Sequence, residues 1–146
     1  MKISNCEGQI MYNITQEMKN KIQEMEKARL RQWYYLKKAI PRIIYWSKKN
    51  NSKIYNIECV PHSGISVDTY IFYKTDKELN IYKESNIIDL TKEAVMNILT
   101  EIGYVEEFND KVRFSFDSDE NVQRKYLGNY GLRLTKKIFH IRLNHG

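Results

Sequence analysis

An α+β fold with a long N-terminal helix is what this sequence predicts, and two observations carry the prediction. Apolar residues recur at helical spacing up to the Asn50-Asn51 break, and beyond it the period falls to two. Helical spacing then returns in one stretch, "DLTKEAVMNILTEIG". The expected order is α-β-β-β-α-β-β-α-β. It implies an antiparallel sheet of about five to six strands, with a second amphipathic helix and a short third helix packed on one face.

The first helix is expected over 13–49. Asn13 is a candidate cap with Gln16 completing a capping box. Ile14, Met18, Ile22, Met25, Trp33, Leu36 and Ile40 fall on one face, with Arg29 among them as a candidate buried partner for an acid. Pro41 should end or kink the helix, because its ring removes a donor and clashes with the preceding turn. Next, "KIYNIECV" reads as a strand stopped by Pro61, and "PHSG" as a turn. "GISVDTYIFYKT" is a strand with Ile65, Val67, Thr69, Ile71 and Tyr73 on one face, and "ELNIYKES" closes a meander after a "TDK" turn.

The second helix has Asp89 or Thr91 as cap, a buried stripe of Leu90, Ala94, Val95, Ile98 and Ile102, and Gly103 as its stop. "YVEEF-ND-KVRFSF" reads as a hairpin turning at Asn109-Asp110. A short helix follows over 118–127, and "GLRLTKKIFHIRLN" as a final strand. Residues 53–143 thus form the sheet with two helices. At 146 residues, with no linker, low-complexity tract or internal repeat read along it, the chain is expected to be a single domain, 1–146.

Charge is laid out in blocks. Residues 19–53 hold eleven Lys/Arg against two Glu, and residues 58–120 hold six against fourteen acids. Residues 121–146 hold six bases and no acid. Such blocks either neutralise one another inside the fold or present basic surfaces to an acidic partner. No apolar run approaches the roughly 20 residues that span a bilayer, and the first residues have no signal-peptide pattern. With Cys6 and Cys59 forming no disulfide or metal framework, a reduced cytoplasmic setting is the expectation.

The stretch "FDSDEN", residues 116–121, holds the densest group of candidate ligands. Asp117, Asp119 and Asn121 match the first half of a calcium loop, but Val122 stands where that loop turns on Gly. Gly128 stands where it needs a bidentate Glu. Asp117 or Ser118 as a helix cap, with Glu120 and the later Arg124-Lys125 complementing the helix dipole, explains the cluster better. His62, Ser63 and Asp68 lack a nucleophile elbow, His140 and His145 lack zinc-ligand spacing, and "GNYG" lacks the rest of a P-loop. No pattern calls for a cofactor or metal, and the chain reads as non-enzymatic.

The sharper signal is on the first helix. Lys27, Arg31, Tyr34 and Lys38 align opposite the apolar face, and Arg42, Tyr45 and Lys49 extend the line if the helix passes Pro41. Cations interleaved with tyrosines suit phosphate contacts and base stacking. The expected function is therefore a small binding or accessory protein that docks this stripe, together with Arg124 and Lys125, on nucleic acid or a nucleoprotein. The alternative is an inhibitor or immunity-type protein that binds an acidic protein. An acid- or metal-dependent hydrolase built on Asp117 is the third reading. Trp33, Tyr35 and Trp46 suit either a core or a dimer seam.

Overall fold

The computed structural model describes residues 2–135, with side chains from Thr15 onward. Helix α1 (Lys2–Lys49) leads into strands β1 (Asn56–His62) and β2 (Ser66–Tyr73). Helices α2 (Asp76–Lys83), α3 (Ile87–Glu101) and α4 (Tyr104–Phe108) come next, then β3 (Lys111–Ser118) and α5 (Asp119–Tyr126). A further helical segment, α6, covers 130–135. The class is α+β with a long N-terminal helix, as the sequence predicts.

The sheet differs from the expectation. Among the described residues it has three strands in the order β1-β2-β3, with β1 and β2 antiparallel but β2 and β3 parallel. The α2–α4 connection makes that parallel return, as a crossover must. Central strand β2 is covered on both faces. Val67, Ile71 and Tyr73 join Leu36, Ala39 and Ile43 of α1 and Val95, Ile98 and Leu99 of α3 in the main core. On the other face Tyr70 and Phe72 pack with Val122, Tyr126, Tyr130 and Leu134 of α5 and α6. Helices therefore lie on both faces of the sheet. Ile65, which the alternation groups with Val67, Thr69, Ile71 and Tyr73, is 73% exposed beside the β1–β2 turn.

Two expected strands are helices. "ELNIYKES" forms α2, because Thr75 Oγ1 accepts a hydrogen bond from the Glu78 N–H at 3.1 Å and starts a helical turn. Only Leu79 of that helix is buried, so its alternating Leu79 and Ile81 never form a two-residue face. "YVEEF" forms α4 between left-handed Gly103 and Asn109, which places fully buried Tyr104 under α1. At the C-terminal end, Asn129 Oδ1 accepts from the Leu132 N–H at 2.9 Å and opens α6 where a strand was expected. The rest of that strand, with His140, lies outside the described residues, as do His145 beyond it and the side chains of Cys6, Asn13 and Ile14.

Helix α1 starts earlier than expected and ends at Lys49, where the sequence places its end. It begins at Lys2, so Asn13 lies within it. One interior Asn costs only about 0.7 kcal/mol in propensity, too little to stop a helix. It also runs through Pro41 to Lys49. An interior proline costs about 3 kcal/mol. Burial of Leu36 and Ile43 on either side returns roughly 1.5–3 kcal/mol each, which outweighs it. Pro61 likewise does not stop β1, because β1 is an edge strand where a missing N–H is tolerated. Helix α3 matches its expected span, with Ala94, Val95 and Ile98 buried, but Leu90 is 41% exposed. Its N-cap position is Asn86, and the Thr91 hydroxyl donates instead to the Ile87 carbonyl at 2.7 Å.

Gln32 ties α1 to the rest. Its side chain is fully buried, and its Oε1 accepts from the Gly64 N–H at 2.8 Å. Its Nε2 reaches the Ser66 carbonyl at 3.0 Å, and the Tyr104 hydroxyl and Asp110 carboxylate at 3.1 Å each. Gly64, at φ 78°, passes so close to α1 that a Cβ there would sit 3.3 Å from the Ala28 Cβ.

Replacing Gln32 by Leu strands the Gly64 donor and weakens the Tyr104–Asp110 pair. It is expected to lower stability by about 1–3 kcal/mol in denaturant titration. Burial pushes the Cys59 thiol up to about 12, with Thr69 opposing weakly. In a Cys6→Ser background, a thiol reagent at neutral pH should therefore modify Cys59 only at the rate of unfolding, and rapid labelling of the native chain would contradict this packing.

Candidate functional site

The line of cations and tyrosines on α1 is exposed along its whole length. Lys27, Arg31, Tyr34, Lys38, Arg42, Tyr45 and Lys49 all lie on the solvent side, opposite buried Gln32, Leu36, Ala39 and Ile43. Arg29 is exposed too, paired with Glu26 at 3.6 Å rather than buried with an acid. Trp33, Tyr35 and Trp46 are half-buried against the main core.

The stripe is built from a repeated unit. "RQWYYLKK" (31–38) and "RIIYWSKK" (42–49) carry Arg, Tyr, Lys and Lys at the same places, with an aromatic residue after each Tyr. The second copy is offset from the first by eleven residues, which is about three helical turns and about 16 Å along the axis. In each copy the last lysine lies over the tyrosine ring. Lys38 Nζ donates to the Tyr34 hydroxyl at 2.8 Å and lies 3.9 Å from its ring centroid. Lys49 Nζ lies 4.7 Å from the Tyr45 ring centroid. The hydrogen bond from Lys38 lowers the Tyr34 hydroxyl below the usual tyrosine range. The repeat is far shorter than the units of repeat folds, and only the two octets set side by side reveal it.

Each unit also borders a groove and an acid. Leu30, Arg31, Tyr34 and Tyr35 line one groove of about 320 Å³. Arg42, Tyr45, Trp46 and Lys49 line another of about 400 Å³, closed on its far side by Asn97 and Glu101 of α3. Arg31 hydrogen-bonds Glu107 of α4, and Arg42 pairs with Glu101 at 3.9 Å. Hydrogen bonding from Tyr35 first, and Arg31 second, holds the Glu107 carboxyl below the usual range. The acidic middle segment thus borders the stripe at the two arginines without covering Lys27, Tyr34, Lys38, Tyr45 or Lys49.

Arg124 and Lys125 are not part of this surface. They sit on α5, across the sheet from α1, and Arg124 is bound to Asp76 at 3.0 Å. His62 and Asp68 do meet, at 2.8 Å. However, the second Asp68 oxygen pairs with Arg113 at 2.9 Å, which makes a line of polar contacts across three strands.

The oxygens of "FDSDEN" diverge into separate structural bonds. Asp117 accepts from Arg133 at 2.7 Å, from Asn121 and from the Ser118 N–H. Asp119 accepts from Tyr130 and Gln123. Glu120 reaches the Asp76 N–H at 3.4 Å. Ser118 is the N-cap of α5: its hydroxyl accepts from the Asn121 N–H at 3.0 Å and donates to Asp76. Among the described residues no three His, Cys, Asp or Glu side chains converge as metal ligands, and no helix is long and apolar enough to cross a membrane. No protein-family model, curated protein or solved structure matches the chain.

Ser118→Ala should cost about 0.5–2 kcal/mol in stability through the lost cap, measured by urea denaturation. Asp76 is held below the usual carboxylate range by hydrogen bonding to Ser118 first and Arg124 second. Its ionised form therefore favours the fold. That contribution is complete above about pH 4 and is lost as the pH falls through the lower, folded value. The urea midpoint of Asp76→Asn should accordingly vary less between about pH 6 and about pH 3 than that of the parent chain (from about two units above the usual value to about one below it).

Proposed function

We propose that the protein is a non-enzymatic binding or accessory protein whose α1 stripe docks on nucleic acid or a nucleoprotein. The observation that carries this reading is the tandem of Arg-Tyr-aromatic-Lys-Lys units, both exposed and in phase on one helix face. A polymer with regularly spaced phosphates and stackable rings offers the same chemistry twice, and a tandem site answers it twice. Lysines at both units meet phosphates, while Tyr34 and Tyr45 offer ring faces to bases. Glu101 and Glu107 hold Arg42 and Arg31 in place until phosphate competes for them.

Fluorescence polarisation with a labelled single-stranded oligonucleotide tests the reading. If about four cations meet phosphates, log K should fall against log salt with a slope of about −3. Tyr34→Ala or Tyr45→Ala should each cost roughly 1–3 kcal/mol of binding. Lys38→Glu with Lys49→Glu should abolish binding, and Glu101→Gln with Glu107→Gln should strengthen it. Absence of binding at low salt, or indifference to the lysine reversals, overturns the proposal. A partner captured from nuclease-treated lysate that those same reversals release would point to an acidic protein surface instead.

A further inference from the structure

The two grooves beside the basic stripe are not equivalent. Leu30, Arg31, Tyr34 and Tyr35 line the first, and none of them carries an amide or a carboxylate. The second is a cleft between two facing helices. Arg42, Tyr45, Trp46 and Lys49 of α1 form one wall, and Ala94, Asn97, Ile98 and Glu101 of α3 form the other. Both sets are spaced three, one and three residues apart, which brings four side chains to one helix face. Asn50, just past α1, completes the lining. At about 400 Å³ the cleft falls in the range of small-ligand sites, about 300–1,000 Å³.

The walls differ in what they offer. Ala94 and Ile98 are 7% and 9% exposed and give an apolar floor. Lys38 and Lys49 lie over the Tyr34 and Tyr45 rings, whereas no ring or cation among the described residues stacks on the half-buried Trp46 indole. Arg42 and Lys49, on the same wall as Trp46, supply charge for a phosphate. Opposite them, Asn97 is exposed, and its amide makes no hydrogen bond among the described residues. Glu101 follows one turn later, in a long 3.9 Å pair with Arg42. A flat aromatic ring with polar edges and a phosphate beside it answers all of these groups, and that is a nucleotide. In a duplex its base must first be unpaired and unstacked, whereas a single strand presents it without that cost.

The amide and the carboxylate also discriminate between bases. Asn97 Nδ2 offers a donor, and Asn97 Oδ1 and the Glu101 carboxylate offer two acceptors. Adenine presents the complement, with N7 as acceptor beside an N6 amino group that carries two hydrogens. Guanine presents N7 and O6 on the same edge, so its O6 would meet the carboxylate with no proton between them. Cytosine, with N3 beside its N4 amino group, repeats the adenine pattern on one ring instead of two and covers less of the indole. We propose that the α1–α3 cleft takes one unstacked adenine of a single-stranded nucleic acid, stacked on Trp46 and read by Asn97 and Glu101. The proposal rests on the reading that the α1 stripe follows a nucleic-acid backbone, and it adds a base-selective pocket to that surface.

Two labelled strands of about twelve residues test it in a polarisation titration of the full chain. Both are oligothymidylates, one interrupted at several positions by adenine and the other at the same positions by hypoxanthine. Hypoxanthine keeps the two fused rings of adenine and replaces the amino group by an oxo group. The adenine strand should bind about ten-fold more tightly than the hypoxanthine strand. Asn97→Ala should remove that difference, while the salt slope, which counts phosphate contacts, stays as in the parent chain. Alanine is the better helix former at this exposed position, so the variant is expected to fold, and circular dichroism checks that it does. Equal affinity for the two strands, or a difference that survives Asn97→Ala, overturns the pocket and leaves the stripe standing as a backbone-binding surface. Absence of binding to both strands at low salt overturns the pocket and the stripe together.

Discussion

The buried amide of Gln32 is the contact on which the arrangement of the other elements depends. One side chain on α1 satisfies the β1–β2 turn through Gly64, the start of β2 through Ser66, and the α4–β3 junction through Tyr104 and Asp110. An aliphatic residue would bury as well but would leave a backbone donor unpaired, and buried orphan donors are what folds avoid. The amide therefore fixes where α1 stops being part of the domain and becomes an extension. It also fixes the rotation of α1. Gln32 pointing inward forces Arg31, Tyr34 and Lys38 outward, so the polar network inside sets the direction of the cationic face outside.

The charge blocks of the chain resolve into two kinds of contact. Acids of the middle segment meet cations locally, as Asp68 does with Arg113 and Asp76 with Arg124. Asp117 pairs with Arg133 in a setting where both side chains are only 12% exposed, which links β3 to α6. Among the described residues, Glu101 and Glu107 are the acids that reach across to the arginines of α1. The basic C-terminal block, as far as it is described, is used to hold the far side of the sheet together. Internal neutralisation and an open basic surface thus coexist, in different parts of the molecule.

The sequence made the long strongly periodic elements legible. The first helix, α3 and α5 follow from their patterns, and a cap at Asp117 or Ser118 follows from the acids behind it, with the structure selecting Ser118. What misled was short alternation. Leu79 and Ile81 in "ELNIYKES", and Leu132 and Leu134 in "NYGLRL", have period two by chance over four residues. Their helices are set by Thr75 and Asn129, cap residues whose meaning depends on which turn follows. The parallel pairing of β2 with β3 depends on three intervening helices packing on the sheet, and no local pattern encodes it. At the candidate site the seven α1 residues were readable from the wheel, whereas the separation of Arg124 and Lys125 from them required the sheet between. The doubling of the octet needed only the sequence, and the structural equivalence of its copies needed the fold.

Eleven residues carry an α-helix three turns round with about 20° left over. The two octets are therefore in register with each other only because three residues, Ala39, Ile40 and Pro41, separate them. Gaining or losing one residue there turns the second unit by about 100° and swings Tyr45 away from the line of Tyr34. It would also drag Ile43 out of the core that Leu36 shares. The spacer is thus held at its length from two directions, by the surface it keeps aligned and by the interior it keeps filled. Among those three residues the identity of exposed Pro41 is free to drift in a way that its presence is not.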